Sequence, residues 1–128
     1  MIIGRGILLG FFLFAFNITL HATICPDPNT SSLQWGKIPA PWIADPFSDH
    51  APQGEKGARF VRANLLFAGL GRGVVCNYLN SIGFYSIWWP VGISLPTRSD
   101  YNWRIGLMGF ECTASVEDCI FNLSGDGL

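Results

Sequence analysis

Cys112 and Cys119 stand seven positions apart in FECTASVEDCIF, residues 110–121, around the acids Glu117 and Asp118. Three chemistries are open to such a pair: a nucleophilic thiolate, metal ligation or a disulfide. A thiol nucleophile needs a base beside it, usually histidine, and His50 is the single histidine after residue 21. In DPFSDHAPQG it reads as a solvated surface residue beside Asp49. Zinc calls for four Cys or His ligands, commonly delivered as close C-x-x-C pairs. Here Cys25, Cys76, Cys112 and Cys119 fall 51, 36 and 7 positions apart. An even number of cysteines in a small exported chain reads instead as two disulfides. Of the three possible pairings, Cys112 with Cys119 and Cys25 with Cys76 is preferred, because ASVED supplies turn-forming residues for the short loop. The competing pairing joins Cys76 to Cys112 across neighbouring strands. No catalytic residue, metal site or cofactor is assigned.

Paired carboxylates cleave glycosidic bonds without histidine, and Glu111 with Asp118 is the pair that a small secreted hydrolase would use. The disulfide loop TASVED, presented rigidly to a protease or hydrolase, is a third reading. GLGRG, residues 69–73, is neither G-x-G-x-x-G nor a P-loop, and no helix follows to supply a dipole. Its glycines suit a tight connection between strands, with Arg72 at the tip. NTS at Asn29 and NLS at Asn122 fit the glycosylation sequon, and no function is drawn from them.

These groups must be carried by a chain whose first residues look like an address. MIIGRGILLGFFLFAFNITLHA opens with Arg5, runs through an apolar block from Ile7 to Phe16 and ends in polar residues before Ala22, the order of a secretory signal peptide. Spanning a bilayer takes about 20 apolar residues, so residues 1–22 are expected to be cleaved, leaving no stable membrane anchor. The rest suffices for one small domain. It carries two lysines and five arginines, scattered, against nine acids, which is no footprint for nucleic acid. The expected location is outside the cytoplasm, periplasmic or secreted.

Residues 23–58 are dense in proline, which removes backbone donors and forbids a continuous helix. They are expected to wrap irregularly on the core, anchored by Trp35, Trp42 and Phe47, with LQWGKI as a short strand. Residues 59–128 read as an antiparallel β domain. RFVRANLLFA alternates Val61, Ala63, Leu65 and Phe67 against Arg62 and Asn64, the two-residue period of a half-buried strand. VVCNYL and FYSIWW continue a meander through the turn NSIG. A bent strand at NWRIGLMGFEC, kinked at Gly106 or Gly109, and a last one at CIFNL complete the set. The expected fold is all-β: a small disulfide-bonded antiparallel sandwich or partly open barrel of five to seven strands.

The five tryptophans stand out for so small a domain. Neighbouring residues of a strand point to opposite faces, so one of Trp88 and Trp89 is buried and the other exposed. An exposed tryptophan on a sheet is a platform for a sugar ring or a partner protein. Trp89 and Arg72 are the candidate binding residues, with Trp88 in place of Trp89 if the register slips by one. The function expected first is therefore a non-catalytic binding module for a protein or a glycan.

The order CPDP after the leader, CNY on a middle strand, Trp103, and then ECTASVEDCIF resembles a family of small exported bacterial proteins of unknown function, with a C-P, C-x-Y, E-C and C-x-F cysteine pattern. The residues that carry it are Cys25, Pro26, Cys76, Tyr78, Trp103, Cys112, Cys119 and Phe121. The resemblance implies export and a disulfide-bonded β fold, and brings no activity, cofactor or catalytic residue with it.

Overall fold

The computed structural model of the chain describes residues 22–124; the signal-peptide reading, Ala22 apart, lies outside them. The described residues are nearly all β, in nine strands: β1 (Ala22–Thr23), β2 (Ile43–Ala44), β3 (Arg59–Leu66), β4 (Gly73–Leu79), β5 (Phe84–Trp89), β6 (Ile93–Ser94), β7 (Arg104–Gly106), β8 (Gly109–Cys112) and β9 (Phe121–Leu123). They form a six-stranded sheet in the order β2-β5-β4-β3-β8-β7 and a three-stranded sheet in the order β1-β9-β6. All pairs are antiparallel, and neither sheet closes into a barrel.

The meander β3-β4-β5 is built from β-branched and aromatic residues that suit a pleated, half-buried surface. Gly73 opens β4 at φ +101°, and a Cβ there would lie 2.0 Å from the Trp89 carbonyl oxygen. Only glycine fits that approach. The β4–β5 turn closes on Asn80, whose Oδ1 accepts from the backbone N–H of Ile82 and Gly83 at 3.0 and 3.1 Å.

Pleating sorts the side chains. Ala63, Leu65, Val74, Cys76, Tyr78, Tyr85, Ile87 and Cys112 face one side and are fully buried. Leu33, Trp42 and Phe121 pack over them from the N-terminal segment and from β9. Tyr78 and Tyr85 stack at 5.1 Å with planes 22° apart, and the Tyr78 hydroxyl donates to the Pro26 carbonyl at 2.7 Å.

Both disulfides form as the spacing suggested: Cys25–Cys76 and Cys112–Cys119. The rival pairing fails on geometry. Cys76 and Cys112 both sit opposite Ala63, on the two strands flanking β3. Two strand spacings, about 10 Å, exceed the roughly 7 Å reach of a disulfide.

Several sequence expectations are corrected. LQWGKI is no strand: Ser32–Trp35 form a 3-10 turn, with Ser31 as N-cap and Gly36 ending it at φ +79°. NWRIGLMGFEC is not one bent strand but the hairpin β7-β8, with Gly106 paired to Gly109 around Leu107 and Met108. Trp35 and Phe47 do not anchor the N-terminal segment, being 70% and 90% exposed. Trp42 does, together with Leu33 and Cys25. Val61 leaves the apolar alternation because β3 carries a bulge between Phe60 and Arg62. Phe60 takes the place on the core face instead and packs edge-on to Tyr78.

Two outcomes follow from this packing. In the chain-entropy account the ring closed by Cys25–Cys76 contributes about 4 kcal/mol and that by Cys112–Cys119 about 2.5 kcal/mol. Urea denaturation of Cys25→Ala/Cys76→Ala and Cys112→Ala/Cys119→Ala should therefore rank the first as the larger loss, and a reversed order would refute the ranking. Burial raises the Tyr85 hydroxyl from 10.0 to about 12 and lifts Tyr78 well above its usual value. A raised phenol stabilises the fold only while neutral. Stability should hold up to pH 10 and fall as pH climbs towards 12, and a urea midpoint unchanged between pH 8 and pH 11.5 would contradict it.

Candidate functional site

Among the described residues, the face of the six-stranded sheet turned away from the core is only partly covered, by the segment after β2. Two rows cross it. Arg62, Asn77 and Ser86 lie side by side on β3, β4 and β5, and next to them run Asn64, Val75 and Trp88. These six line a cleft of about 400 Å³, a size that suits a small-molecule site, with Asp45, Phe47, Leu66, Leu70 and Met108 around them. The floor is polar and the rim apolar.

The segment after β2 forms one wall. The Ser86 hydroxyl donates to Asp45 Oδ2 at 2.8 Å, and the Ser86 N–H donates to Ser48 Oγ at 2.9 Å. Asp45 Oδ1 accepts from the Phe47 N–H at 3.1 Å, so both carboxylate oxygens hold the wall in place. The opposite end is closed by the exposed Met108 of the β7–β8 turn and by Leu70.

Trp88 is fixed. Its Nε1 donates to the Arg72 carbonyl at 2.7 Å, which ties the indole to the connection before β4 and leaves apolar ring surface to offer. On the floor, Asn77 Nδ2 donates to Asn64 Oδ1 at 3.2 Å. Asn64 is only 5% exposed, yet its Nδ2 has no hydrogen-bond partner. Buried amide donors are almost always paired, and leaving one empty costs about 1–3 kcal/mol.

Of the residues singled out from sequence, Trp88 and Arg72 come together, the second through its backbone carbonyl. The Arg72 side chain lines a neighbouring open hollow beside Phe67 and Ile93. Trp89 lies on the other face, its ring 5.5 Å from that of Trp42 and packed against the core. Glu111 and Asp118 are not brought together: Glu111 projects from the open face opposite Asn64 and crowds Gly106, whereas Asp118 lies in the loop tied back through Cys119. That loop holds Val116 inward, and Trp103 Nε1 donates to the Ile120 carbonyl at 2.8 Å. His50 is not freely solvated. Its Nε2 is buried without a partner, and its ring abuts Gly83. Asn29 is committed to structure, its amide donating to the Ala58 carbonyl and accepting from the Gly57 N–H.

All four cysteines are in disulfides, so the pair Cys112 and Cys119 is a staple. A family model described as protein of unknown function, DUF3757, matches residues 19–122. The chain belongs to the DUF3757 family. No curated protein and no solved structure matches it. The DUF3757 match spans both disulfides and every residue of the cleft. Two disulfides point to an oxidising, exported environment, and no helix among the described residues is long and apolar enough to cross a membrane.

Sequence reasoning missed Asn64, Asn77 and Ser86. Alternation in RFVRANLLFA already turned Arg62 and Asn64 outward, but Asn77 and Ser86 are single polar residues among apolar ones in their strands, and only the register of the meander lines them up with Arg62.

The unpaired Asn64 amide yields a measurable consequence. Asn64→Leu loses the bond from Asn77, whose Nδ2 keeps the Arg62 carbonyl at 3.4 Å, and removes a buried unsatisfied donor, two effects of opposite sign and similar size. Urea denaturation should place the variant within about 1 kcal/mol of the native protein. A loss of 3 kcal/mol or more would show that Asn64 is a structural keystone rather than an open binding group.

Proposed function

We propose that this protein is an exported, non-catalytic binding protein and that the Trp88 face of its larger sheet takes a saccharide. The N-terminal charged-then-apolar pattern supports export through a signal peptide ending near Ala22, and the two disulfides fit that destination.

The observation that carries the saccharide reading is the juxtaposition of a hydrogen-bonded indole with a buried, unpaired amide in one cleft. A sugar ring presents C–H surface to an aromatic plane and hydroxyls to amides. Trp88 supplies the first surface and Asn64 with Asn77 the second. Asn64 Nδ2 is shut off from solvent in the free protein and is reached as the side chains over it part, whereas Trp88 is already held by the Arg72 carbonyl and Asn77 by Asn64. Preorganisation of this kind lowers the entropy that binding must overcome. The carboxylate pair of a hydrolase is not assembled in the cleft, and Asp45, the acid that does line it, is bound up in its own wall.

The test is tryptophan fluorescence and NMR titration against a panel of neutral and uronic oligosaccharides of three to six rings. At least one is expected to bind native protein, with Trp88→Ala weakening it tenfold or more while the melting temperature stays within a few degrees. Trp89→Ala should instead lower the melting temperature, because that ring packs on Trp42. Undiminished binding by Trp88→Ala, or no response to any saccharide, would overturn the proposal.

A further inference from the structure

Resting on the saccharide reading of the Trp88 face, we propose that the ligand is acidic: a saccharide bearing a carboxylate, held by Arg62 and Asn64 at the β3 edge of the cleft while a neighbouring ring lies against Trp88.

The register of β3 is what selects the charge. Phe60 pairs with Tyr78, but the next residue opposite Asn77 is Arg62, not Val61, because the bulge inserts one residue into β3. From Arg62 to Leu66 the pairing is unbroken, so Arg62 shares the open face with Asn64 and stands beside Asn77, while the bulge before it turns Phe60 back to the core side opposite Tyr78.

That guanidinium is free to bind. Among the described residues, Arg62 makes no hydrogen bond or ion pair through its side chain, and it is exposed. Two positions along, on the same face of β3, Asn64 Nδ2 also has no partner. Two unspent donors thus sit side by side on one strand. Of the acceptors in the cleft, both Asp45 oxygens and Asn64 Oδ1 already accept hydrogen bonds, which leaves Asn77 Oδ1 against the many N–H groups of Arg62 and Asn64. An excess of donors over acceptors calls for a ligand rich in acceptors, and a carboxylate meets the planar fork of arginine with two parallel bonds.

Glu111 stands beyond the cleft lining, on β8 opposite Asn64 and paired across the hairpin with Arg104, and the acid that does line the cleft lies on the other side. Asp45 attaches at Ser86, two strands from Arg62, a separation of about 10 Å. Asp49, which lines the adjoining hollow with Arg62, Asn77 and Phe84, belongs to the same wall beyond β5. Among the residues that line the cleft, the one cation, Arg62, therefore stands at the β3 side, and the one acid, Asp45, stands at the β5 side with Trp88. A ligand carboxylate has one favourable end at which to sit. The two ends are far enough apart for more than one sugar ring to bridge them.

The experiment compares trimers of galacturonate, glucuronate and mannuronate, each as the free acid and as its methyl ester, on the full mature protein by calorimetry and fluorescence. At least one free acid should bind at least tenfold more tightly than its ester, and its affinity should fall with added salt. Arg62→Gln should cut the affinity for the acid about tenfold and leave that for the ester unchanged. Asn64→Leu should weaken both. An ester that binds as tightly as its acid, or an Arg62→Gln variant that keeps the acid's affinity, overturns the acidic assignment and leaves the saccharide reading standing. If neither acids nor esters bind while neutral oligosaccharides do, the acidic assignment falls alone. If no saccharide of any kind binds, both readings fall together.

Discussion

Cys25 is bonded to Cys76 in the middle of β4, 51 residues further on, and that covalent link governs what the proline-rich N-terminal segment can be. The segment has little regular structure with which to hold itself. Its backbone polar groups are satisfied piecemeal: by the Tyr78 hydroxyl at Pro26, by the Asn29 side chain at Gly57 and Ala58, and by the short pairing of β2 with β5. Each of these is worth about 1 kcal/mol, too little alone to order so many residues against their conformational entropy. With the disulfide closing the ring, Leu33 and Trp42 are delivered onto the core face of the large sheet. The wall built from Asp45 to Ser48 then follows from the same constraint, since it continues directly out of β2.

The second disulfide acts more locally, and its logic is complementary. Cys112 ends β8 on the core side, and Cys119 leads straight into β9. Seven residues reverse the chain between the two sheets, with Val116 turned inward and Trp103 bonded to the carbonyl of Ile120. Phe121 is thereby brought over Trp42, edge to face at 6.3 Å. Both sheets share one core because one long covalent ring ties the N-terminal segment to β4 and one short ring fixes where the chain crosses from β8 to β9.

Much of this was readable in the residues. The meander came from alternation in VVCNYL and FYSIWW, and the disulfide pairing from spacing and turn chemistry. Two kinds of feature were not readable. The first is backbone geometry that depends on distant contacts. Gly106 and Gly109 look like kinks within a strand, yet a Cβ on Gly109 would lie 2.2 Å from the Leu65 carbonyl, a close approach that β3 alone defines. The second is the bulge after Phe60. It shifts one residue of β3, and in a sheet a one-residue shift exchanges the faces of every side chain on one side of it. Alternation read without the bulge puts Val61 with Ala63 on the core side and conceals Phe60. Between Trp88 and Trp89, the sequence offers no rule for which is buried. Trp42 settles it from outside the strand by packing on Trp89.

Each face of the sheet holds a buried polar atom without a partner: the Tyr85 hydroxyl on the core face, beside a Tyr78 hydroxyl that bonds to the Pro26 carbonyl, and Asn64 Nδ2 on the open face. A small domain gains only a modest surplus from its core, so a donor left empty is a measurable fraction of its stability. What sets Asn64 apart from the Tyr85 hydroxyl is its place in a cleft, where a ligand of the proposed kind would complete it, at the expense of the free fold. Its neighbours suit that role: an indole already bonded in place, a wall pinned by both oxygens of Asp45, and the Arg62 guanidinium on the same face of β3. Rigid surroundings with unspent donors are the condition under which binding energy is not consumed in rearrangement. The same disulfide that orders the N-terminal half therefore also sets the shape of the cleft, because the wall facing Arg62 descends from the segment that Cys25 ties down.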